Sequence, residues 1–494
     1  MSGATFHYAL LAPEFLLAAA GGAVLLADAF RAELRLGRAA LPWIAVAGAL
    51  AAAVVSLGGV NARADFAGLV SIDNFMTFFR VLFAVTLLVV VVGSHEFVTK
   101  EIRHQGEFYA MLLFATVGAN FMASARELLT AYIAIELVSF SLYVAVSLAK
   151  RDRRSGEAGL KYVLLGGVAS ATLLYGLSLI YGAAGSTSYA PIAAHLQAGT
   201  ADVRMPLLLG LTLVIGGLGF KASAVPFHMW TPDAYEGAPL PVTAILSATS
   251  KAAAFALLLR LFAGPLLPVI RDWQWMVVTI SLLTMVVGNL IALQQRNIKR
   301  LLAYSSIGQV GYMLMAIATV STVGSASALL LHLGGYLVTN LAVFMAVIAF
   351  YNHTGSEEIS GMRGLAETNP YLALVLAAGL FSLGGMPLLA GFTTKFFLFQ
   401  AAADGGYLWL VTIAVIMSTV SLYYYLMVIR QMYVIQTDGA LIDPQAPDRV
   451  VARWRLSLTG YLTTGVLLFG MFALGLYATP LLVAADRAAA ALFG

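Results

Sequence analysis

Three lysines lie in the middle of long apolar stretches of this sequence: Lys221, Lys251 and Lys395. A lysine at the centre of a bilayer costs roughly 2.5–3.5 kcal/mol even on the lenient insertion scale, so a chain keeps one there for a function. Each of the three lies roughly ten residues or more from the nearest expected interface, which is too far for the side chain to reach the headgroups. We therefore interpret all three as functional cations.

Glu136 is the carboxylate that the sequence places at a similar depth, in the apolar run LLTAYIAIELVSFSLYVAV. Burial disfavours a charged ammonium, whereas a neighbouring carboxylate favours it. A buried lysine whose carboxylate partner approaches and retreats can therefore take up and release a proton. A row of such groups, joined by water, would form a proton path. The alternative for Glu136 is a packing role as the counter-ion of one lysine.

Two histidines are weaker candidates for the same path. His332 lies in ALLLHLGGYLVTN, where a histidine is as often a packing residue as a proton relay. His228 lies near Asp233 and Glu236, and this group could be a proton entrance or simply a solvated loop.

The composition is that of a chain that fills a membrane. Of its 494 residues 61% are hydrophobic and 11% are charged, with a mean hydropathy of +0.88, whereas soluble domains carry roughly 25% charge. We expect an all-α polytopic membrane protein, because alternating barrel-strand patterns are lacking. Fourteen apolar stretches are predicted to span the membrane: 9–27, 41–60, 75–94, 108–124, 127–149, 159–184, 206–231, 240–263, 273–293, 299–319, 326–351, 370–402, 406–433 and 455–480.

The distribution of lysine and arginine predicts the orientation of the chain. Alternate loops are rich in basic residues: Arg31, Arg35, Arg38, Lys100, Arg103, Lys150, Arg151, Arg153, Arg154, Arg296, Lys299, Arg300, Arg363, Arg430, Arg449, Arg453 and Arg455. By the positive-inside rule, both termini should face away from the cytoplasm and the number of helices should be even. The net charge of +4 follows from this topology, and no basic arm suggests a nucleic-acid partner. Lys161, Arg80 and Arg260 lie near helix ends, where snorkelling would explain them.

Two of the predicted helices contain residues that interrupt helical geometry. In the seventh, Gly216, Gly217 and Gly219 precede Lys221 and Pro226 follows it; in the twelfth, Gly384, Gly385, Pro387 and Gly391 precede Lys395. Such breaks occur where a helix lines a hydrated cavity, and a matching pair is typical of transporters built from inverted repeats. We predict two inverted five-helix repeats, helices 4–8 and 9–13, with broken helices 7 and 12. The corresponding regions are 1–105, 106–265, 266–435 and 436–494.

The sequence also limits the chemistry of the chain itself. It contains no cysteine, which excludes thiolate-ligated iron–sulfur clusters, c-type haem, disulfides and a cysteine nucleophile. Paired haem-ligating histidines and glycine-rich phosphate loops are not visible. We expect no cofactor, metal or redox centre in this chain, so its energy must come from a partner or an ion gradient.

Four motifs carry a resemblance to a known family. The segments GLGFKASAVPFHMWTPDAYEGAP, ATSKAA, QQRNIKRLLAYSSIGQVGYM and SLGGMPLLAGFTTKF resemble, in order and spacing, the antiporter-like membrane subunits of respiratory NADH:quinone oxidoreductase, complex I. The similarity runs from about helix 4 to helix 13. Lysine at 395 and a chain that ends soon after helix 14 resemble the N-type of this family; the M-type has a glutamate at that place, and the L-type has a long C-terminal lateral helix.

The resemblance implies fourteen helices with two inverted repeats and proton translocation driven by quinone reduction in other subunits. Glu136 matches the family's helix-5 glutamate, and Lys221, Lys251 and Lys395 match its lysines in helices 7, 8 and 12. It implies a translocase subunit in the bacterial inner membrane or an equivalent energy-transducing membrane. NADH, FMN, iron–sulfur clusters and quinone would bind to partner subunits. The neighbours would be an M-type subunit and small membrane subunits.

Two other functions remain open from the residues. The first is a subunit of a multi-subunit Na⁺/H⁺ antiporter with the same fold, although one mid-membrane carboxylate is a poor start for a sodium site that needs several oxygen ligands. The second is a quinone-binding redox subunit, which the aromatic content favours and the lack of a redox centre disfavours. Co-purification with flavin and iron–sulfur subunits would distinguish the three.

Overall fold

The computed structural model describes residues 8–30, 33, 37, 39–199, 203–434 and 453–493. Several predictions lie outside the described residues. They are the positions of Arg31, Arg35, Arg38 and Arg449 and most of the loop that opens the predicted C-terminal region, residues 436–452.

The described chain is helical apart from one short β-hairpin. The helices are α1 (Ala12–Ala29), α2 (Ala40–Leu57), α3 (Asn74–Gly93), α4 (His95–Glu101), α5 (Gln105–Ser124), α6 (Leu128–Val146), α7 (Arg153–Ala184), α8 (Tyr189–Ala198), α9 (Arg204–Ala222), α10 (Trp230–Gly237), α11 (Leu240–Ile245), α12 (Lys251–Phe262), α13 (Ile270–Ala292), α14 (Ile298–Ala318), α15 (Val323–Thr354), α16 (Leu365–Thr368), α17 (Pro370–Gly384), α18 (Ala390–Asp404), α19 (Leu408–Tyr433), α20 (Leu458–Leu476) and α21 (Thr479–Phe493). Strands β1 (Ala64–Phe66) and β2 (Val70–Ile72) pair antiparallel. Neither this hairpin nor α21 was predicted from the sequence.

Twelve helices in the described part of the chain are long and apolar enough to cross a membrane. They match twelve of the fourteen predicted stretches. The other two stretches correspond to α5, whose polar Gln105, Glu107 and Asn120 lower its hydropathy, and to the pair α17 and α18, each of which is short. The chain is therefore a multi-pass α-helical membrane protein, and the count of fourteen stays a prediction.

Both predicted interruptions are present in the structure. α9 ends at Ala222 and α10 begins at Trp230, and α17 ends at Gly384 while α18 begins at Ala390. A third irregularity was not predicted: α11 continues into one turn of π-helix, Leu246–Ser250, which leads directly into α12. Its sequence LSATS contains no glycine or proline that would have predicted the π-turn.

Local features of α6 and α7 recur in α14 and α15, as the predicted repeat requires. Glu127 and Asn297 cap α6 and α14, and each forms an isolated antiparallel bridge, to Ser188 and to Glu358. α7 and α15 each contain 32 residues and end at a glycine with φ of +68°. These matches support a repeated scaffold.

The most buried spans form the centre of the molecule. The segment from α11 to α12 and the whole of α14 are buried along their apolar windows, and α15 is nearly so. By contrast, only 28–33% of the apolar windows of α1, α19 and α20 is buried, as expected for helices that face lipid or neighbouring proteins. The central spans thus shield the lysines that lie on them and beside them.

Two arginines for which we predicted snorkelling are instead buried in ion pairs. Arg80 of α3 donates to Glu14 of α1 at 2.8 and 2.6 Å, and Asn120 donates to the same carboxylate at 2.9 Å. Arg260 of α12 pairs with Asp73 at 2.7 Å. The prediction was wrong because a carboxylate, distant in sequence, lies within reach of each guanidinium.

Asp73 also caps the first turn of α3 through the backbone N–H of Met76. Burial disfavours its charged form, but the Arg260 charge and the hydrogen bonds from Arg260, Met76 and Ser71 outweigh burial and hold the pKa of this carboxyl below its usual value. The pair therefore remains charged at neutral pH, and its contribution to stability is lost only as the pH falls through that lowered pKa.

Replacing Glu14 with leucine should destabilise the chain by about 3–5 kcal/mol, because Arg80 would stay buried without its counter-charge. The double variant Glu14→Leu, Arg80→Met should recover most of that loss. Thermal unfolding of the purified chain in nanodiscs would measure both. As a control, Asp65→Asn breaks the exposed Asp65–Arg126 pair, 2.8 Å long, and should change stability little. A Glu14→Leu chain as stable as the wild type would contradict the structural role of this pair.

Candidate functional site

Lys221 lies at the end of α9, immediately before the first helix break. Its side chain is only 5% exposed, and its ammonium donates to the hydroxyl of Ser139 on α6. The ammonium also lies 5.5 Å from the ring centroid of Tyr143 and 5.8 Å from that of Phe220. A hydroxyl and two aromatic faces thus replace the water that the cation has lost.

Glu136 lies one helical turn before Ser139 on α6, so the carboxylate and the lysine belong to one cluster. The Ser170 hydroxyl of α7 donates to Glu136, and Ser170 also lies 3.3 Å from the Tyr132 hydroxyl. Glu136 and Lys221 do not form an ion pair in the described structure, since each is hydrogen-bonded to a different serine. The carboxylate is therefore a neighbour of the lysine without neutralising it directly.

The break after Lys221 has its backbone groups satisfied by other helices. Ser223 adopts φ of +70°, a left-handed conformation that is uncommon for serine and typical of functional sites. The freed N–H of Val225 donates to Thr284 of α13 at 2.9 Å, and Trp230 donates to the carbonyl of Phe220 at 2.8 Å. The break is thus a defined structure that links α9 to the second half of the chain.

Lys251 is the first residue of α12 after the π-turn and is 1% exposed. Its ammonium has no hydrogen-bond partner among the residues that the structure describes. The nearest recorded contact is the Tyr235 ring, whose centroid lies 5.7 Å away. Of the three lysines, Lys251 has the weakest replacement for its lost hydration.

Lys395 lies on α18 after the second break and is 4% exposed. Its ammonium donates to the carbonyl of Leu383 at 2.7 Å and to Ser418 of α19 at 3.1 Å, and it lies 5.0 Å from the ring centroid of Tyr312. The Leu383 carbonyl belongs to the last turn of α17, where the break frees it from helical bonding. The break therefore supplies a ligand for this lysine.

Two glycines let the backbone approach Lys395. Gly385 has φ of +87°, and a Cβ placed there would lie 3.5 Å from the lysine side chain. A Cβ on Gly391 would collide with the carbonyl of Ser382. Beside this turn is a cavity of about 320 Å³, lined in part by Lys395, Phe396 and Ser418. The site around Lys395 thus has space next to the ammonium group.

His332 joins the Lys395 site rather than forming one of its own. It lies on α15, is 2% exposed, and its Nδ1 is 3.0 Å from the hydroxyl of Thr394, the residue before Lys395. Its Nε2 has no partner in the described structure. The packing alternative and the relay alternative both remain, but the histidine is now placed next to a functional candidate.

His228 lies in the first break and is 7% exposed, with Nδ1 unpartnered within the described ranges. The acidic residues that follow it form ion pairs: Asp233 contacts Lys161 and Arg300 at 3.0 Å each, and Glu236 contacts Arg300 at 2.8 Å. They line a cleft of about 320 Å³. Both alternatives for this group, a proton entrance and a solvated loop, stay predictions, and the charges that line the cleft form a network of ion pairs.

The charge network keeps Asp233 ionised. Partial burial disfavours the charged carboxylate, but hydrogen bonds from Lys161 and Arg300 outweigh it and hold the pKa of Asp233 below its usual value. Asp233 therefore does not store a proton at neutral pH; it positions the two cations around the cleft.

The polar partners of the lysines and of Glu136 were not predicted from the sequence. Ser139 could have been found from its spacing of one turn from Glu136, but Ser170, Ser418 and Tyr312 lie on helices that only the fold brings together. The three lysines stand apart from one another, each on its own helix. Across the described ranges no group of three or more histidines and carboxylates could hold a metal ion.

Comparison with known proteins identifies the family. The sequence profile described as "NADH:quinone oxidoreductase/Mrp antiporter, TM" matches residues 125–421. A relative from Moorella thermoacetica, named NADH-quinone oxidoreductase subunit N, is 41% identical over 444 residues, which cover 90% of each chain. The chain belongs to the NADH-quinone oxidoreductase subunit N family.

Solved structures agree with this membership of the subunit N family. A chain of respiratory complex I from Thermus thermophilus with bound aureothin has a TM-score of 0.77 and 31% identity, covering 95% of this chain and 98% of that one. A chain of the Mrp complex from Dietzia sp. DQ12-45-1b has a TM-score of 0.79 at 23% identity, covering 99% of this chain and 96% of that one. The second likeness concerns the fold alone.

Glu136→Gln should lower proton pumping several-fold in the reconstituted complex, because the carboxylate is the anionic group next to Lys221. Glu136→Asp should retain part of the activity. The ratio of protons pumped to electrons transferred in proteoliposomes would measure this effect. The matched control is Glu96→Gln, which changes an exposed glutamate 2.8 Å from Lys100 and should pump normally. A Glu136→Gln complex with the wild-type ratio between pH 6 and 8 would reduce Glu136 to a packing residue.

Proposed function

We propose that this chain is the N-type membrane subunit of a proton-pumping NADH:quinone oxidoreductase. In this proposal a proton enters from the cytoplasmic side around the first helix break and charges Lys221, next to Glu136. It then passes through Lys251 to Lys395 and leaves on the opposite side. Quinone reduction in other subunits drives the cycle.

The observation that carries the proposal is the state of the three buried ammonium groups. Each is at least 95% buried, and none forms an ion pair with a carboxylate among the described residues. A structural cation in such a place acquires a permanent counter-ion, as Arg80 and Arg260 do. Unpaired lysines can lose and regain a proton, whereas the guanidinium of arginine stays charged.

The free energy needed to move a proton across the membrane is similar to the change in proton affinity that a buried lysine can undergo. Moving one charge across about 150 mV takes roughly 3.5 kcal/mol, similar to the free energy by which burial or a neighbouring charge changes how tightly an ammonium holds its proton. Changes in the contacts of Lys221 or Lys395 would therefore be sufficient to move a proton against a membrane potential.

The remaining parts of the enzyme belong to partner subunits in this proposal. NADH, FMN, iron–sulfur clusters and quinone bind elsewhere, and the chain contributes a translocase activity without a redox centre of its own, which its lack of cysteine supports. Its neighbours are other antiporter-like and small membrane subunits. We place it in the bacterial inner membrane with both termini on the periplasmic side, as the positive-inside pattern favours.

A second candidate function is that of a subunit of a Na⁺/H⁺ antiporter complex, which the likeness in fold to the Mrp complex favours. A sodium site requires several hard oxygen ligands. Among the residues that the structure describes, Glu136 is the single carboxylate at the lysine sites, and its contact is a serine hydroxyl. Proton transfer between lysines therefore fits this constellation better.

Lys221→Ala should abolish or strongly reduce proton pumping while assembly of the complex is preserved, because the lysine is costly to bury and contributes little to packing stability. Lys221→Arg should rescue poorly, since a guanidinium does not release its proton. Pumping by the purified, reconstituted complex would measure both variants. Lys150→Ala, at a lysine that is 61% exposed, is the control. Normal pumping by a well-assembled Lys221→Ala complex would refute the relay through this residue.

Lys395→Leu should impair turnover of the whole coupled enzyme, because it removes the last group of the relay, whereas Lys395→Glu keeps a titratable group and should preserve some pumping. Lys100→Leu, at an exposed position, should have no effect. The activity of the wild type should be independent of Na⁺. Transport that requires Na⁺ would favour the antiporter, and a normal proton-to-electron ratio in Lys395→Leu would remove this lysine from the path.

A further inference from the structure

Tyr235 is a fully buried tyrosine beside Lys251 whose hydroxyl makes no hydrogen bond of regular geometry. The side chain lies on α10 and is 0% exposed. Its hydroxyl and the ammonium of Lys251 are both unpartnered polar atoms within the described part of the chain, although the ammonium lies only 5.7 Å from the Tyr235 ring centroid. Burying two adjacent polar groups without regular hydrogen bonds lowers the stability of the chain. Their presence side by side therefore indicates a shared function.

The surroundings of the Tyr235 hydroxyl lead from the first half of the chain into the second. Ser306 of α14 is within hydrogen-bonding reach of it, although the geometry is not that of a regular hydrogen bond, and the Tyr336 hydroxyl of α15 donates to Ser306 at 3.0 Å. On the first-half side Tyr162 also lies nearby, held by stacking on Trp230 at a centroid distance of 4.4 Å. Tyr235 thus stands between Lys251 and a pair of hydroxyls on the second repeat.

The hydroxyl pair in turn leads towards Lys395. Tyr336 lies one turn after His332 on α15, and their rings are stacked at 6.5 Å. His332 contacts Thr394 at 3.0 Å, and Thr394 precedes Lys395 on α18. Polar side chains therefore follow one another from Lys251 to Lys395, and Tyr235 is the first of them.

We infer that the Tyr235 hydroxyl relays the proton that leaves Lys251 towards the Ser306–Tyr336 pair. This inference rests on the proposed function and adds a specific residue to it. In the transfer the Lys251 ammonium gives one proton, through a bridging water, to the oxygen of Tyr235. The oxygen releases its own hydroxyl proton to Ser306, and the Ser306–Tyr336 pair passes a proton on towards the neutral amine of Lys395, which accepts it. Each hydroxyl is neutral before and after. Lys251 is left as a neutral amine, and one proton has crossed from the first repeat to the second.

The packing alternative predicts a different outcome for one substitution. If Tyr235 only fills space, removing its unpartnered hydroxyl should leave stability and function unchanged or even improve stability, because a buried polar atom without a partner is lost. If the hydroxyl is a relay, the same substitution should reduce pumping without reducing stability.

The test is Tyr235→Phe in the intact complex, with thermal stability and the proton-to-electron ratio measured on the same preparation. We expect an unchanged or higher melting temperature and a several-fold lower pumping rate. The matched control is Tyr189→Phe, because Tyr189 is also buried, at 8% exposed, with an unpartnered hydroxyl in the described structure, and does not contact the lysines. Ser306→Ala, on the far side of the link, should lower pumping similarly and gives a second test if Tyr235→Phe assembles poorly.

A Lys251→Met variant separates this inference from the proposed function. If Lys251→Met stops pumping while Tyr235→Phe and Ser306→Ala pump normally, the tyrosine relay is refuted and the lysine relay stands. If Lys251→Met itself pumps normally, both are refuted. If Lys251→Met keeps residual pumping, the double variant Lys251→Met, Tyr235→Phe should pump no worse than Lys251→Met alone, as expected for groups that act in series. A further loss in the double variant would place Tyr235 on a separate path and overturn the inference.

Discussion

The cost of dehydrating an ammonium group explains the arrangement of this chain around its lysines. Water that surrounds a cation must be replaced by protein dipoles or the group cannot stay charged. Lys395 is given a backbone carbonyl and a hydroxyl, Lys221 a hydroxyl and two aromatic faces, and Lys251 an aromatic face. A continuous helix has no free carbonyls to offer at mid-depth, and the break before Lys395 supplies one.

The buried arginines compensate for their lost hydration in a different way, with a carboxylate. Arg80 and Arg260 are as deeply buried as the lysines, but each has a carboxylate within 2.7 Å. A guanidinium remains charged, so a buried one is stable only beside a permanent counter-ion. The two arginines thus have fixed counter-ions, as does the buried Lys299, which lies 2.6 Å from Glu357. Lys221 and Lys395 differ from these three cations in having neutral partners.

The sequence predicted those parts of the site that depend on one residue or one short segment. A lysine in an apolar run and glycine or proline in a helix are local signals. The sequence was therefore sufficient to predict the three buried lysines and the two helix breaks. The partners of Arg80 and Arg260 lie 66 and 187 residues away, and no local pattern announces such pairs. The π-turn before Lys251 and the unpartnered hydroxyl of Tyr235 depend in the same way on packing between helices. His332 could be recognised as buried, but its position next to Lys395 follows only from the crossing of α15 and α18.

The two stretches with matching local features, α6–α7 and α14–α15, have unequal electrical environments. The interval that separates the helix caps Glu127 and Asn297 also separates Glu136 from Ser306 and Ser139 from Gln309. Ser139 accepts from Lys221, and Gln309 donates to the same Leu383 carbonyl that holds Lys395, so both repeats place a neutral polar group beside the lysine cluster. At the neighbouring position, however, one repeat carries an anion and the other a hydroxyl. In the proposed path a positive charge is therefore held more strongly beside the carboxylate of Glu136 than beside the hydroxyl of Ser306, so forward and backward movements between these positions are not energetically equivalent.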